Sequence, residues 1–197
     1  MKISLITATY NSDATLYDTL QCVQQQDHPD IEHIIIDGGS KDDTLKIAES
    51  FPHIAKVISG KDRGIYDAMN KGIDAATGDV IGILNSDDMY AHPAVISAVA
   101  KAFTNPAVQA TYADLQFVQR DNTDKVVRTW KAGEYSKRSF YYGWMPPHPT
   151  FFVRKEVYNK VGVFNLDLGS AADYELMLRI LLKHEIPAAY IEQVITK

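Results

Sequence analysis

Val80-Ile81-Gly82-Ile83-Leu84-Asn85-Ser86-Asp87-Asp88 is an apolar run that stops abruptly at two adjacent carboxylates. A short continuous apolar run bounded by turn formers reads as a buried strand. The two acids then stand at its carboxyl end, which is where open α/β sheets bind ligands. Hard divalent cations take oxygen ligands, commonly one or two carboxylates completed by substrate phosphates. Asp87 and Asp88 are therefore candidate ligands for a metal-bound diphosphate. The competing reading is that Ser86 and the two acids only form the next turn, as these residue types favour.

Working outward from this run, the first half of the chain alternates strand and helix patterns. Ile3–Ala8, Ile31–Ile36 and Ile54–Ser59 read as strands. Ser12–Gln26 reads as a helix, with Leu16, Leu20 and Val23 at helical spacing and Asn11, Ser12 and Asp13 as credible caps. Thr44–Phe51, Ile65–Ala76 and Pro93–Phe103 complete the helices of this half. Such an order predicts an α/β fold with a mostly parallel central sheet and right-handed crossovers.

Beyond residue 103 the pattern changes. Val108–Ala113, Leu115–Arg120 and Val126–Trp130 read as strands, with Asp121-Asn122-Thr123-Asp124 as a hairpin turn. An aromatic loop, Phe140–Pro149, precedes a strand at Thr150–Val153 and helices at Glu156–Val161 and Ala172–Lys183. Without repeats or low-complexity linkers, 1–197 reads as one domain. Residues 1–103 would bind a nucleotide, and 104–197, a smaller mixed or antiparallel part, would face an acceptor.

Composition narrows the function classes. A chain of 197 residues with 46% apolar content can bury a sizeable core. Its net charge of −5 supplies no basic field for nucleic acid. The single Cys22 excludes an intramolecular disulfide and any multi-cysteine zinc site, and fits a reducing compartment. Met1-Lys2 runs into a strand pattern too short for a secretory h-region. No apolar run approaches the roughly 20 residues needed to span a bilayer. The expected location is the cytoplasm, with peripheral contact at the cytoplasmic membrane face left open.

Further constellations carry chemistry. Thr7-Ala8-Thr9-Tyr10-Asn11 and Asp37 end the first two strands, where a base can sit: Tyr10 can stack on it, and Asp37 can accept the N3–H of uracil. Against this, Tyr10 can pack on the first helix and Asp37 can open an Asx-turn. Arg63 stands just before a helix and can contact phosphate, or pair with Asp62 or Asp67. Asn70 can hold a neighbouring loop. Asp173, at the start of the last long helix, is either a general base at a cleft edge or an ordinary N-terminal acid. His148, between prolines, is either a third metal or phosphate contact or a packed loop histidine.

Taken together these segments resemble family 2 glycosyltransferases of the GT-A fold, a Rossmann-like sheet flanked by helices. Thr7–Asn11 is similar to the family's first nucleotide loop. Ile35-Ile36-Asp37-Gly38-Gly39-Ser40-Lys41-Asp42-Asp43-Thr44 is similar to its second, which usually reads as two acids, Gly, Ser, Thr, Asp. Gly64–Gly72 resembles its Gly-x-x-x-Ala-x-Asn-x-Gly helix, and Asn85–Asp88 falls at its DXD position. His148-Pro149 and Ser170–Arg179 resemble its acceptor-side loop and base-bearing helix. The likeness covers nearly the whole chain and is closest to bacterial enzymes that assemble surface polysaccharides.

The resemblance implies roles. Thr7, Tyr10, Asn11 and Asp37 would bind the nucleoside, Arg63 the nucleotide or diphosphate, and Asp87 and Asp88 the ribose and the metal. The cofactor would be Mn2+ or Mg2+, with His148 as an additional ligand candidate. Asp173 would be the catalytic base of an inverting transfer from a nucleotide-sugar, UDP-sugar first, to a saccharide or lipid-linked acceptor. Two departures stand out: Asn85 replaces the usual first acid of the DXD stretch, and Gly38 replaces the second acid of the second loop. Two other readings compete: a nucleotide-sugar-binding domain without transfer activity, and a nucleotidyltransferase. The latter class opens with a Gly-rich basic loop that Thr7–Asn11 lacks.

Overall fold

The computed structural model describes all residues, Met1–Lys197. Its central strand β1 (Ile3–Thr9) is buried along its whole length. That burial follows from its pairing in parallel with β2 (Ile31–Asp37) on one side and β4 (Val80–Ile83) on the other. Strands covered on both faces read as near-continuous apolar runs, as β1, β2 and β4 do. Outside β2 lies β3 (Ile54–Ser59), also parallel.

Helices α1 (Leu16–Gln24), α2 (Thr44–Glu49), α3 (Ile65–Ala75) and α4 (Val95–Ala102) connect and cover these strands. Each is one to four residues shorter at an end than its apolar spacing suggests. The flanking residues close turns instead, as where Thr15 and Leu16 both donate to the Ser12 carbonyl.

Chain order runs outward from β1 through β2 to β3, then returns to place β4 on β1's other side, giving the order β3-β2-β1-β4 in this half of the sheet. The reversal between β1 and β4 is a topological switch point, which opens a crevice at the strands' carboxyl ends. The loops leaving β1 and β4 meet there: Ser12 Oγ and Ser86 Oγ are 3.0 Å apart.

The second half completes the eight-stranded sheet. β7 (Phe152–Arg154) joins β4 antiparallel, β5 (Ala110–Gln119) joins β7, and β6 (Asn122–Trp130) forms the far edge. The sheet is thus parallel in its first half with antiparallel additions. Two expected strands, Val108–Ala113 and Leu115–Arg120, are one bulged strand. Asp114 does not break it, because its buried carboxylate accepts from Ala132 N (2.9 Å) and Tyr190 Oη (2.7 Å). The hairpin turn is Arg120-Asp121, since Gln119 already pairs with Asn122. Ala188–Thr196, to which no strand was assigned from sequence, is β8 and pairs in parallel with β5.

Two helices lie between β7 and β8: α5 (Lys155–Val161) and α6 (Ala172–Leu178), the latter ending in a wide turn at Arg179–Lys183. Arg179 holds that end by donating to the Val163 carbonyl (2.8 Å) and pairing with Glu175 (2.8 Å). The largest apolar cluster draws on both halves of the chain, from Ile6, Ile34 and Met69 to Leu176, Met177 and Ile180. No helix is long and apolar enough to cross a membrane.

Candidate active site

The carboxyl ends of β1 and β2, with the N-terminal turn of α3, enclose a cavity of about 450 Å³ lined by Ala8, Thr9, Tyr10, Gly38, Lys61, Asp62, Gly64, Ile65 and Ala68. Tyr10 is 65% exposed, so its ring face is open to a flat ligand. Asn11 takes a left-handed conformation (φ 50°). It ties the first loop to the second, its N–H donating to Ser40 Oγ and its Oδ1 accepting from Lys41 N, both at 2.9 Å. Asn11 thus shapes the cavity edge and is not among the lining residues.

Thr7 lies elsewhere. Successive side chains of a strand point to opposite faces, so when Ala8 faces the cavity, Thr7 faces away. It is fully buried, with its hydroxyl 3.0 Å from His33 Nε2. His33 is itself pushed down to about 3 by burial and by its neighbour His53, and stays neutral.

Asp37 is also fully buried. Its carboxylate accepts from Gly39 N (3.0 Å), Ser40 N (3.2 Å), Ser59 Oγ (2.6 Å) and the Ser40 and Thr9 hydroxyls. Burial alone would raise its pKa, but these donors outweigh it and hold the carboxyl below its ordinary range. The side chain braces the Gly38–Ser40 turn, the Asx-type role that competed with uracil binding. Arg63 is exposed and pairs with Asp67 (Nη2 to Oδ1, 3.4 Å), leaving Asp62 without an ionic partner.

The two acids after β4 separate in character. Asp87 is exposed. Asp88 is largely buried and accepts from Asn85 Nδ2 at 2.8 Å, while its carbonyl accepts from Thr19 Oγ1 at 2.8 Å. Desolvation pushes its carboxyl up to about 6, with the neighbouring Asp87 charge adding to the effect. Asn85 Oδ1 is buried without a hydrogen-bond partner. A second cavity of about 510 Å³ abuts Asn85, Asp87 and Asp88 from the side of α1 and the β5–β6 hairpin.

No three His, Cys, Asp or Glu side chains gather into a metal-binding group. The donor set here, an exposed carboxylate beside an unpartnered amide oxygen, fits an Mg2+ or Mn2+ ion that takes its remaining ligands from a diphosphate and water. His148 does not join that set. Its ring packs edge-on against Phe164 (centroids 5.6 Å apart), and burial lowers its pKa while the nearby Asp173 charge opposes that shift.

Asp173 opens α6, where its Oδ1 accepts from Tyr174 N at 2.7 Å. It also lies beside Tyr66, whose phenol is raised by burial and by the Asp173 charge. Asn70 clamps the preceding loop onto α3 through two 2.9 Å bonds, Nδ2 to the Phe164 carbonyl and Phe164 N to Oδ1. Helix α3 therefore reaches both places, lining the cavity with Gly64, Ile65 and Ala68 and meeting Asp173 with Tyr66. Trp144, in the aromatic loop, is packed with Tyr112, Tyr135 and Phe140, and its Nε1 donates to the Ala132 carbonyl (2.7 Å).

Sequence reasoning did not single out Lys61, Asp62 or Tyr66. Asp62 entered only as a possible partner of Arg63, and nothing local signals that it reaches a glycine 24 positions away in the chain.

Known proteins share this fold. The profile described as "Glycosyl transferase family 2" matches residues 4–162. An uncharacterized glycosyltransferase of Mycobacterium tuberculosis is 34% identical over 183 residues, 91% of this chain and 69% of that protein. Among solved structures, S. aureus TarS 1–349 in complex with UDP-GlcNAc superposes with a TM-score of 0.75 at 19% identity, over 100% of this chain and 58% of that one. The mannosyltransferase PcManGT from Pyrobaculum calidifontis, in complex with GDP-Man and Mn2+, gives 0.72 at 19% identity over 98% of this chain and 55% of that one. With a family profile spanning most of the sheet and an α/β architecture of the GT-A type, the chain belongs to glycosyltransferase family 2.

Proposed function

We propose that this chain is an inverting, divalent-metal-dependent glycosyltransferase that moves a sugar from a nucleotide-sugar to a hydroxyl of a saccharide or lipid-linked acceptor. The observation that carries the reading is the span of α3, which joins a cavity with an open Tyr10 face to a half-buried carboxylate, Asp173. The base and ribose sit in the Tyr10–Asp62 cavity, and the diphosphate extends toward Asn85–Asp88 across the switch point. Asp87 and the Asn85 amide oxygen hold Mg2+ or Mn2+ there. When bound, the ion neutralises charge that develops on the leaving diphosphate.

Asp173 takes the proton from the attacking hydroxyl. The acceptor oxygen forms its bond to the anomeric carbon as the bond to the diphosphate oxygen breaks, and the nucleoside diphosphate departs from the opposite face. Tyr66 and His148 border the carboxylate. The Asn70–Phe164 clamp holds that loop against α3.

A general base contributes about 10²–10⁴-fold. Asp173→Asn is expected to reduce release of nucleoside diphosphate from the nucleotide-sugar by a factor in that range. Binding of nucleoside diphosphate, followed by calorimetry, should be unchanged. Full turnover in this variant would remove Asp173 from the mechanism.

A further inference from the structure

Two observations concern the base end of the cavity, and the inference drawn from them rests on the nucleotide-sugar reading above. The first is that Asp37 has no capacity left. It is fully buried, and its oxygens are occupied by Thr9, Gly39, Ser40 and Ser59. The second is that another carboxylate is free. Asp62 Oδ1 accepts from Gly64 N at 3.0 Å, which braces the turn before α3. Its Oδ2 has no protein donor.

That Oδ2 lies 2.7 Å from the point where a Cβ on residue 38 would stand, and Tyr10 Cδ2 lies 3.3 Å from the same point. Any side chain at position 38 would therefore displace the Asp62 carboxylate. Gly38 leaves the space empty, and an acid from the other wall of the cavity fills it. Tyr10, Gly38, Lys61 and Asp62 thus form one corner, with a ring face, a bare backbone, an ammonium and an unspent carboxylate oxygen.

We propose that Asp62, rather than Asp37, reads the nucleobase, and that it selects bases carrying a ring N–H beside a carbonyl. An ionised carboxylate only accepts hydrogen bonds, and a lysine ammonium only donates them. A base stacked on Tyr10 would direct its pairing edge into this corner. Uracil, thymine and guanine offer a ring N–H to Asp62 and an adjacent carbonyl oxygen to Lys61. Cytosine and adenine present a ring-nitrogen lone pair there, which repels the carboxylate.

The test is calorimetric titration with UDP, dTDP, GDP, CDP and ADP in the presence of Mn2+, on the wild type, Asp62→Ala, Asp62→Asn and Gly38→Ala. Hydrogen bonds to charged groups correspond to about 10- to 100-fold in affinity. The wild type should bind at least one of UDP, dTDP and GDP more tightly than CDP and ADP by about that factor. The arms also show which keto base it prefers. Asp62→Ala should erase the preference. Asp62→Asn should raise CDP affinity, because a rotated amide donates to the cytosine ring nitrogen while its oxygen still serves Gly64. A purely structural role would not produce that gain. Gly38→Ala should reproduce the loss by pushing the carboxylate aside.

If the wild type discriminates and Asp62→Ala keeps the discrimination, the Asp62 assignment falls while the nucleotide reading stands. If the wild type binds none of the five, the nucleotide reading falls and the base assignment falls with it.

Discussion

Asp87 and Asp88 are chemically equivalent in sequence and inequivalent in the fold. Asp88 is largely buried, and desolvation raises its carboxyl to about 6. An acid raised above its unfolded value costs stability as pH climbs through the interval between the two values, here about 4 to 6, and the cost is constant above it. At one pKa unit per 1.36 kcal/mol, a rise from 3.8 to about 6 amounts to about 3 kcal/mol. Asp88→Asn should therefore raise the thermal midpoint near pH 8 and leave it unchanged near pH 4, as followed by circular dichroism. Asp87, exposed and unburdened, is the carboxylate available to a metal. Asp87→Ala should abolish the Mn2+-dependent part of nucleotide binding, whereas Asp88→Asn should retain most of it. Equal loss in both variants would assign the ion to the pair.

At the scale of elements, α3 approaches β1 through Gly72. A Cβ there would stand 2.3 Å from Ile6 Cγ2 and 3.0 Å from Ile6 Cγ1, inside the packed core. Alanine is the better helix former by about 1 kcal/mol, but overpacking a core costs about 1–3 kcal/mol. Gly72→Ala is thus expected to lower the urea midpoint, and Ile6→Ala in the same chain should recover part of the loss. Simple additivity of the two substitutions would mean that the helix shifts freely, and that the close approach is not what sets its position. The same helix lines the Tyr10–Asp62 cavity at one end and touches Asp173 through Tyr66, so its seating on β1 sets the distance between the two.

Across the whole molecule, a hydrogen-bonded carboxylate cluster and the proposed site occupy opposite ends of the sheet. At the amino ends of β1, β2 and β4, Glu32 accepts from Lys2 Nζ (3.0 Å), Thr77 N (2.7 Å), Thr77 Oγ1 (2.6 Å) and Ser4 Oγ. Burial would raise its pKa, but these donors bring it down to about 2. An acid depressed in this way contributes stability that is full above about pH 4.5 and is lost as pH falls toward 2. Glu32→Gln should lower the melting temperature at neutral pH and shrink the difference from wild type in acid. Nucleotide affinity should not change, since the cavity lies at the other end of the strands. A change in affinity would show that the two ends are coupled.

The sequence by itself determined the strand–helix alternation, the parallel first half and the placement of Tyr10 and the Asn85–Asp88 turn at strand ends. These follow from local periodicity and turn chemistry, which a linear pattern records. It also marked Asp173 as the acid that opens the last long helix, and Asn70 as a loop holder. Only the tertiary structure decided that Thr7 faces His33, that Asp37 is spent on its own turn, and that Asp87 is open while Asp88 is largely covered. It alone brought Asp62 across to the space above Gly38 and joined Asp114 to Tyr190 within a continuous β5. Side-chain saturation, burial and contact between residues far apart in the chain depend on which elements meet, and no local pattern encodes that.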